Sequence, residues 1–212
     1  HCESSAASDV YKRQHVNNTM QLFTPHGEEI QAKDNLVYLG ATINNNGHIH
    51  AELNKRLGQA WGEFSRYTKV WKHTSISVKR KLQIYQAMIT SKVMYSLSSA
   101  WFNKAEKRRL DSFQAKCLRK ILNIPHSFIS RISNKTVLER SQQLPYTSQL
   151  LHQQIQLFGK IGRSPNTHAL RAATFQPDTL MPVTLTCKRA RGRPKREWAA
   201  ELLSIVSSCF PS

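Results

Sequence analysis

Apolar residues recur at steps of three and four along three long stretches of the chain, the spacing that lines one face of an α-helix. The first predicted helix covers about 51–72, where Leu53, Leu57, Ala60, Phe64, Tyr67 and Trp71 form the stripe. At 100° per residue, Lys55, Arg66, Lys69 and His73 fall on the opposite side, a cationic rail behind a core seam. A second helix is expected to start after Ser75 or Ser77, either of which can cap it, and to run to about Ser98. Its seam is Val78, Leu82, Tyr85, Ile89 and Val93. Lys79, Arg80 and Lys81 crowd its first turns, where positive charge opposes the helix dipole and a bound phosphate would relieve the cost. The third helix opens with Asn103 followed three residues later by Glu106, a capping-box pattern. Leu110, Phe113, Cys117, Ile121 and Ile124 carry its seam to a stop at Pro125. Cys117 lies inside that seam and reads as a small core residue, not a nucleophile.

Ahead of the helices the period shortens. Residues 20–23 and 28–33 flank Thr24-Pro25-His26-Gly27 and predict a hairpin. Leu36–Ile43 is nearly continuously apolar, which predicts a third strand covered on both faces. Asn44-Asn45-Asn46-Gly47 then predicts a turn. Beyond Pro125 the pattern weakens. A short helix is expected over 135–143 and a longer one over 147–162, the latter with Leu151, Ile155, Phe158 and Ile161 inward. Residues 164–186 read as an extended linker, and a last amphipathic helix is expected over about 197–206. Residues 1–14 fit none of this and show no signal-peptide pattern. Ser5–Gln14 resembles translated sequencing-adapter read-through, so the native chain is expected to begin near His15 and to lack its upstream part.

The expected fold class is therefore mainly α: a small antiparallel β region at the N-terminus, a helical bundle, and an extended basic tail. Charge then changes the picture. The 212 residues carry a formal net charge of +18 and a pI near 10.2, a balance that points to nucleic acid first and to an anionic membrane surface second. From Lys55 to Lys120 there are 16 Lys or Arg residues against Glu63, Glu106 and Asp111. No apolar run approaches the roughly 18–20 residues of a membrane span. Cys2, Cys117, Cys187 and Cys209 have no CxxC or CxxH spacing, which excludes a zinc finger of local ligands and argues against a disulfide framework. The nine histidines are scattered, and His48 and His50 around Ile49 make a poor case for a metal.

The most explicit local motif is Lys188-Arg189-Ala190-Arg191-Gly192-Arg193-Pro194-Lys195-Arg196. Its Arg191-Gly192-Arg193-Pro194 core matches an AT-hook, an extended segment that enters the narrow minor groove of A·T-rich DNA. A plain phosphate-binding or nuclear-import patch is the other reading. Walker, GxGxxG, GxSxG and HExxH motifs are absent, and no Asp-Asp or Asp-x-Asp pair is present to hold two Mg²⁺ ions. By itself the sequence carries no means of phosphoryl transfer, and it is not expected to be an enzyme.

The order of these features resembles one family. Leu36-Val37-Tyr38-Leu39-Gly40-Ala41-Thr42-Ile43, the Asn-rich turn with Gly47, and Glu52-Leu53-Asn54-Lys55-Arg56-Leu57 come first. Lys81-Leu82-Gln83-Ile84-Tyr85-Gln86-Ala87, Tyr95, Trp101 and Cys117-Leu118-Arg119-Lys120-Ile121-Leu122-Asn123-Ile124 come next, and Arg191-Gly192-Arg193-Pro194-Lys195-Arg196-Glu197-Trp198 closes the series. Together they look like the C-terminal part of a reverse transcriptase from a non-LTR (LINE-type) retrotransposon, over about 15–198. The resemblance implies last palm strands and a primer-grip-like hairpin at 15–50, a thumb at 51–125, further helices at 126–163, and a linker with a basic tail at 164–212. It implies RNA and DNA as partners, in a template–primer duplex gripped by this part while an upstream palm polymerises. It places Tyr38, Leu39 and Gly40 at the palm–thumb junction and Lys55, Arg66 and Lys69 on the duplex backbone. Lys79, Arg80, Lys81 and the tail cations Arg189, Arg191, Arg193, Lys195 and Arg196 are the further candidate contacts. Mg²⁺ is implied only for the palm, whose aspartates would lie upstream of residue 15. No cofactor, small-molecule ligand or membrane is expected for this part, and an intracellular, nuclear location is. Departures from the family pattern are Asn18-Thr19 for a Lys-Thr pair, Ser91 for a proline, and Gly159-Lys160 for a Gly-His pair. A stand-alone, non-enzymatic DNA-binding protein with an AT-hook-like tail is the alternative.

Overall fold

A computed structural model of the chain describes residues 22–23, 27, 29–30, 33–44, 48–183 and 197–209. Two antiparallel hairpins come first: β1 (Leu22–Phe23) pairs with β2 (Glu29–Ile30), and β3 (Asn35–Tyr38) pairs with β4 (Ala41–Asn44). Ten helices and one π-helical turn come after them among the described residues: α1 (His50–Arg66), α2 (Thr68–Lys72), α3 (Val78–Tyr85), the π turn (Gln86–Thr90), α4 (Ser91–Met94), α5 (Lys104–Ile121), α6 (Ser127–Ser130), α7 (Asn134–Ser141), α8 (Tyr146–Gly162), α9 (Ala169–Thr174) and α10 (Trp198–Cys209). The protein is mainly helical, and among the described residues its β structure is confined to those hairpins and one isolated bridge, Phe175 to Pro182.

The first strand prediction needs correction. Leu36–Ile43 is not one strand but the second hairpin, because Leu39 and Gly40 form a two-residue turn with φ of +47° and +78°. Positive φ at both central residues is the type I′ turn that suits the twist of a hairpin. Nor is the segment covered on both faces. Leu36, Val37, Tyr38, Leu39 and Ile43 are between 52 % and 75 % exposed. A leucine in the left-handed region is strained by about 1–2 kcal/mol. Leu39→Asn, which tolerates that region, is therefore expected to raise stability by roughly 0.5–1 kcal/mol in urea unfolding. A loss of stability would show that the Leu39 side chain makes a contact worth more than the strain.

The main core forms where α1 and α2, the α3–π–α4 run, α5, α7 and the start of α8 meet. Leu53, Ala60, Phe64 and Trp71 are buried along the predicted stripe, with Leu57 and Tyr67 partly so. Phe64 stacks on Trp61 at 5.7 Å and on Trp71 at 4.9 Å, and the Trp71 indole donates to the Phe64 carbonyl at 2.8 Å. The seam of the second predicted helix departs at its first member. Val78 is half exposed, since the first residue of α3 lies at the rim of the core. Tyr85, Ile89 and Val93 are buried as expected. Steps of four drift by about 40° per turn in an ideal α-helix. The wider π turn takes back that drift and keeps all three on one side.

Both predicted caps that fall in this region are present. Ser77 accepts from the Arg80 amide at 3.3 Å, and Asn103 and Glu106 complete a reciprocal capping box at 2.9 Å each way. Cys117 is fully buried, and burial pushes its thiol up to about 12. A thiol held neutral and out of reach is unreactive. Cys117 is thus expected to resist iodoacetamide at neutral pH in the native protein and to be alkylated in urea, as read by peptide mass mapping.

The start of α8 is capped by another helix. Asp111 of α5 accepts from the Thr147 amide (3.0 Å) and hydroxyl (2.8 Å), and Gln114 spans the Tyr146 amide (2.7 Å) and the Leu144 carbonyl (2.8 Å). A second apolar cluster of Phe158, Ile161, Phe175 and Leu202 joins α8, the segment after α9, and α10. It corrects the extended-linker reading over 164–183. Phe175 is buried against Phe158 with ring centroids 5.1 Å apart, and Arg171 ties the segment together through Asn166, Gly162 and Thr179. Threonines and prolines conceal this fold-back because one aromatic residue and one arginine, not a periodic stripe, drive it.

Candidate nucleic-acid interface

Every carboxylate between residues 50 and 126 has a structural use. Glu52 is buried and accepts from the Thr42 amide (2.7 Å), Arg56 Nε (2.6 Å) and Ser96 Oγ (2.9 Å). Burial alone would push its carboxyl up, but these donors outweigh it and hold the group below its ordinary value. Glu63 receives Lys92 Nζ at 2.6 Å and lies 3.7 Å from Arg66, and the Lys92 hydrogen bond chiefly holds its carboxyl below the ordinary value. Glu106 closes the capping box, and Asp111 caps α8. The exposed cations Lys69, Lys72, Lys79, Arg80, Lys116 and Lys120 therefore face solvent with no carboxylate partner among the described residues.

The predicted contact residues divide on this surface. Arg66 and Lys69 are exposed as the rail requires, and so are Lys79 and Arg80 in the first turn of α3. Lys81 is a correction: it is 5 % exposed and its ammonium donates to the Trp71 carbonyl at 2.8 Å, so it clamps α3 to α2 and is not free for phosphate. The same clamp brings the Lys79–Arg80 end of α3 beside α2, which carries Lys69 and Lys72. Lys55 is half-buried, with its ammonium donating to the Gly40 carbonyl (3.1 Å) and Thr42 hydroxyl (3.2 Å). Arg56 reaches the same Gly40 carbonyl at 2.7 Å, stacks 4.5 Å from the Tyr95 ring centroid, and Tyr95 donates to the Leu39 carbonyl at 2.8 Å. Tyr38, Leu39 and Gly40 are thus brought to the base of α1 by polar contacts to the turn carbonyls, while the Tyr38 and Leu39 side chains are exposed. Arg189, Arg191, Arg193, Lys195 and Arg196 lie outside the described residues.

Comparison with known protein families, curated proteins and solved structures finds no match for this chain.

Two functional candidates were not legible as such. Lys116 and Lys120, one turn apart on α5, rest over the Trp61 ring at 3.8 and 4.8 Å from its centroid. A tryptophan one position off the α1 stripe and a lysine pair at i, i+4 were the available signals. The indole holds both ammonium groups at the surface without neutralising them. Among the described residues no three His, Cys, Asp or Glu side chains gather to hold a metal ion, and no helix is long and apolar enough to cross a membrane.

Proposed function

We propose that this chain is a nucleic-acid-binding piece of a retrotransposon RNA-directed DNA polymerase, a thumb-like grip for the template–primer duplex that acts in the nucleus. The observation that carries the reading is electrostatic. A helical bundle presents Arg66, Lys69, Lys79 and Arg80 to solvent; Glu63 lies 3.7 Å from Arg66, while Glu52, Glu106 and Asp111 are spent inside the fold. Contacts of this kind act on phosphate and position a duplex without reading its sequence. The exposed apolar hairpin, tied to α1 through its turn and Thr42 of β4, suits a strand pair that continues into a palm. Polymerisation itself belongs to that palm and its metal ions. A stand-alone DNA-binding role remains the second reading, resting on the AT-hook-like sequence at 191–194.

Fluorescence titration of an RNA–DNA hybrid of about 20 base pairs across a salt series tests the proposal. Binding that weakens steeply with salt and does not depend on A·T content supports the grip. Preference for A·T-rich duplex, abolished by Arg193→Ala, would favour the second reading.

A further inference from the structure

The C-terminal end of α5 carries a cleft of about 360 Å³ whose wall includes Lys116, Lys120, His126 and Asn134. Across Lys120 lies a second cleft of about 380 Å³, which adds Lys72 and Asn123. Among the described residues no carboxylate lines either one. The loop closing the first cleft is fixed from beneath. Buried Arg119 donates to the carbonyls of Pro125 (3.0 Å) and Ile132 (2.6 Å) and to Asn134 Oδ1 (3.0 Å). This clamp positions His126, whose ring lies parallel to Phe128 at 5.9 Å and an interplanar angle of 14°. Phe128 is 71 % exposed. An aromatic ring is thus presented to water beside a cleft lined by lysines, and the main core does not use it.

We propose that this corner of the molecule binds single-stranded nucleic acid, with backbone phosphates on Lys116, Lys120 and Lys72 and a base stacked on Phe128. A cationic groove beside a solvent-facing aromatic ring is the arrangement that holds unpaired strands, since every base offers a π-face. A duplex cannot use the ring, because its bases are stacked on one another. Trp61 contributes by holding Lys116 and Lys120 at the cleft, not by stacking with the strand. The inference stands on the cleft's own chemistry and does not require the duplex grip proposed above.

Anisotropy titration of the whole chain with a labelled oligothymidylate or oligouridylate of about 12 nucleotides tests it, alongside a hairpin duplex of similar length. Phe128→Ala is expected to weaken single-strand binding about tenfold and to leave duplex affinity within about twofold. Phe128→Trp restores it. Lys116→Ala with Lys120→Ala is expected to reduce the slope of log affinity against log salt by about 1.4 for the single strand. Unchanged single-strand affinity in Phe128→Ala, or equal losses on both nucleic acids, overturns the proposal. Single-strand binding without duplex binding would leave it standing and remove only the duplex grip, and a chain that binds neither overturns both.

Discussion

Replacing Glu52 with alanine is expected to cost about 3 kcal/mol of stability in urea unfolding, the lower end of the range for removing one partner of a buried ion pair. Three donors converge on that carboxylate, from Thr42 of β4, from Arg56 one turn along α1, and from Ser96 after α4. Its loss leaves the Arg56 guanidinium, 8 % exposed as a residue, with the Gly40 carbonyl as its remaining hydrogen-bond partner. It also leaves the Thr42 amide without its acceptor, so that amide is expected to lose protection in hydrogen exchange before the helices do. Glu52→Gln keeps an acceptor oxygen but no charge and is expected to cost less. Acid acts on the same group. Its carboxyl is held below the ordinary 4.5, so the stability it contributes is complete above pH 4.5 and is lost as pH falls through its folded value. Wild type should show that acid loss, and Glu52→Gln should lack this component of it. A Glu52→Ala cost under about 1 kcal/mol would sink the claim that this carboxylate anchors the hairpin.

How far the sequence revealed the fold depends on which force set each feature. The seams of α1, α2 and α5 are legible because they are built from apolar positions that share one buried side. The Asn103–Glu106 cap is legible because its two hydrogen bonds are local. The hairpin turn is not, since Leu39 occupies a conformation that its residue type disfavours and only the pairing of β3 with β4 compels it. Burial of Lys81 escapes for a different reason. Its stem spans the edge of the core and its ammonium finds a carbonyl ten residues earlier, so sequence position on a cationic cluster says nothing of where the charge ends. Lys55 fails in the same way, drawn to the Gly40 carbonyl from a helix face that reads as solvent. Cations are therefore predicted as a pool, and the fold decides which of them structure consumes.

That division yields the sharpest functional test. If Arg66, Lys69, Lys79 and Arg80 each neutralise one phosphate, replacing all four with alanine should reduce the salt slope for duplex by about 3.6, at roughly 0.9 per contact. Over a fourfold change in salt, such a slope amounts to a difference of about 150-fold in affinity. The four side chains are exposed, and their removal should leave the thermal midpoint nearly unchanged. Lys81→Ala supplies the contrast. It removes the donor to the Trp71 carbonyl, so it should lower stability by about 1–3 kcal/mol while leaving the salt slope intact. A rail defined only by sequence position would treat Lys81 like Lys79 and Arg80, and would predict the same loss of slope from each. The two variants therefore separate a surface built by the fold from a run of basic residues that attracts phosphate wherever it lies. A slope unchanged in the fourfold variant would place the phosphate contacts elsewhere and remove the basis of the grip.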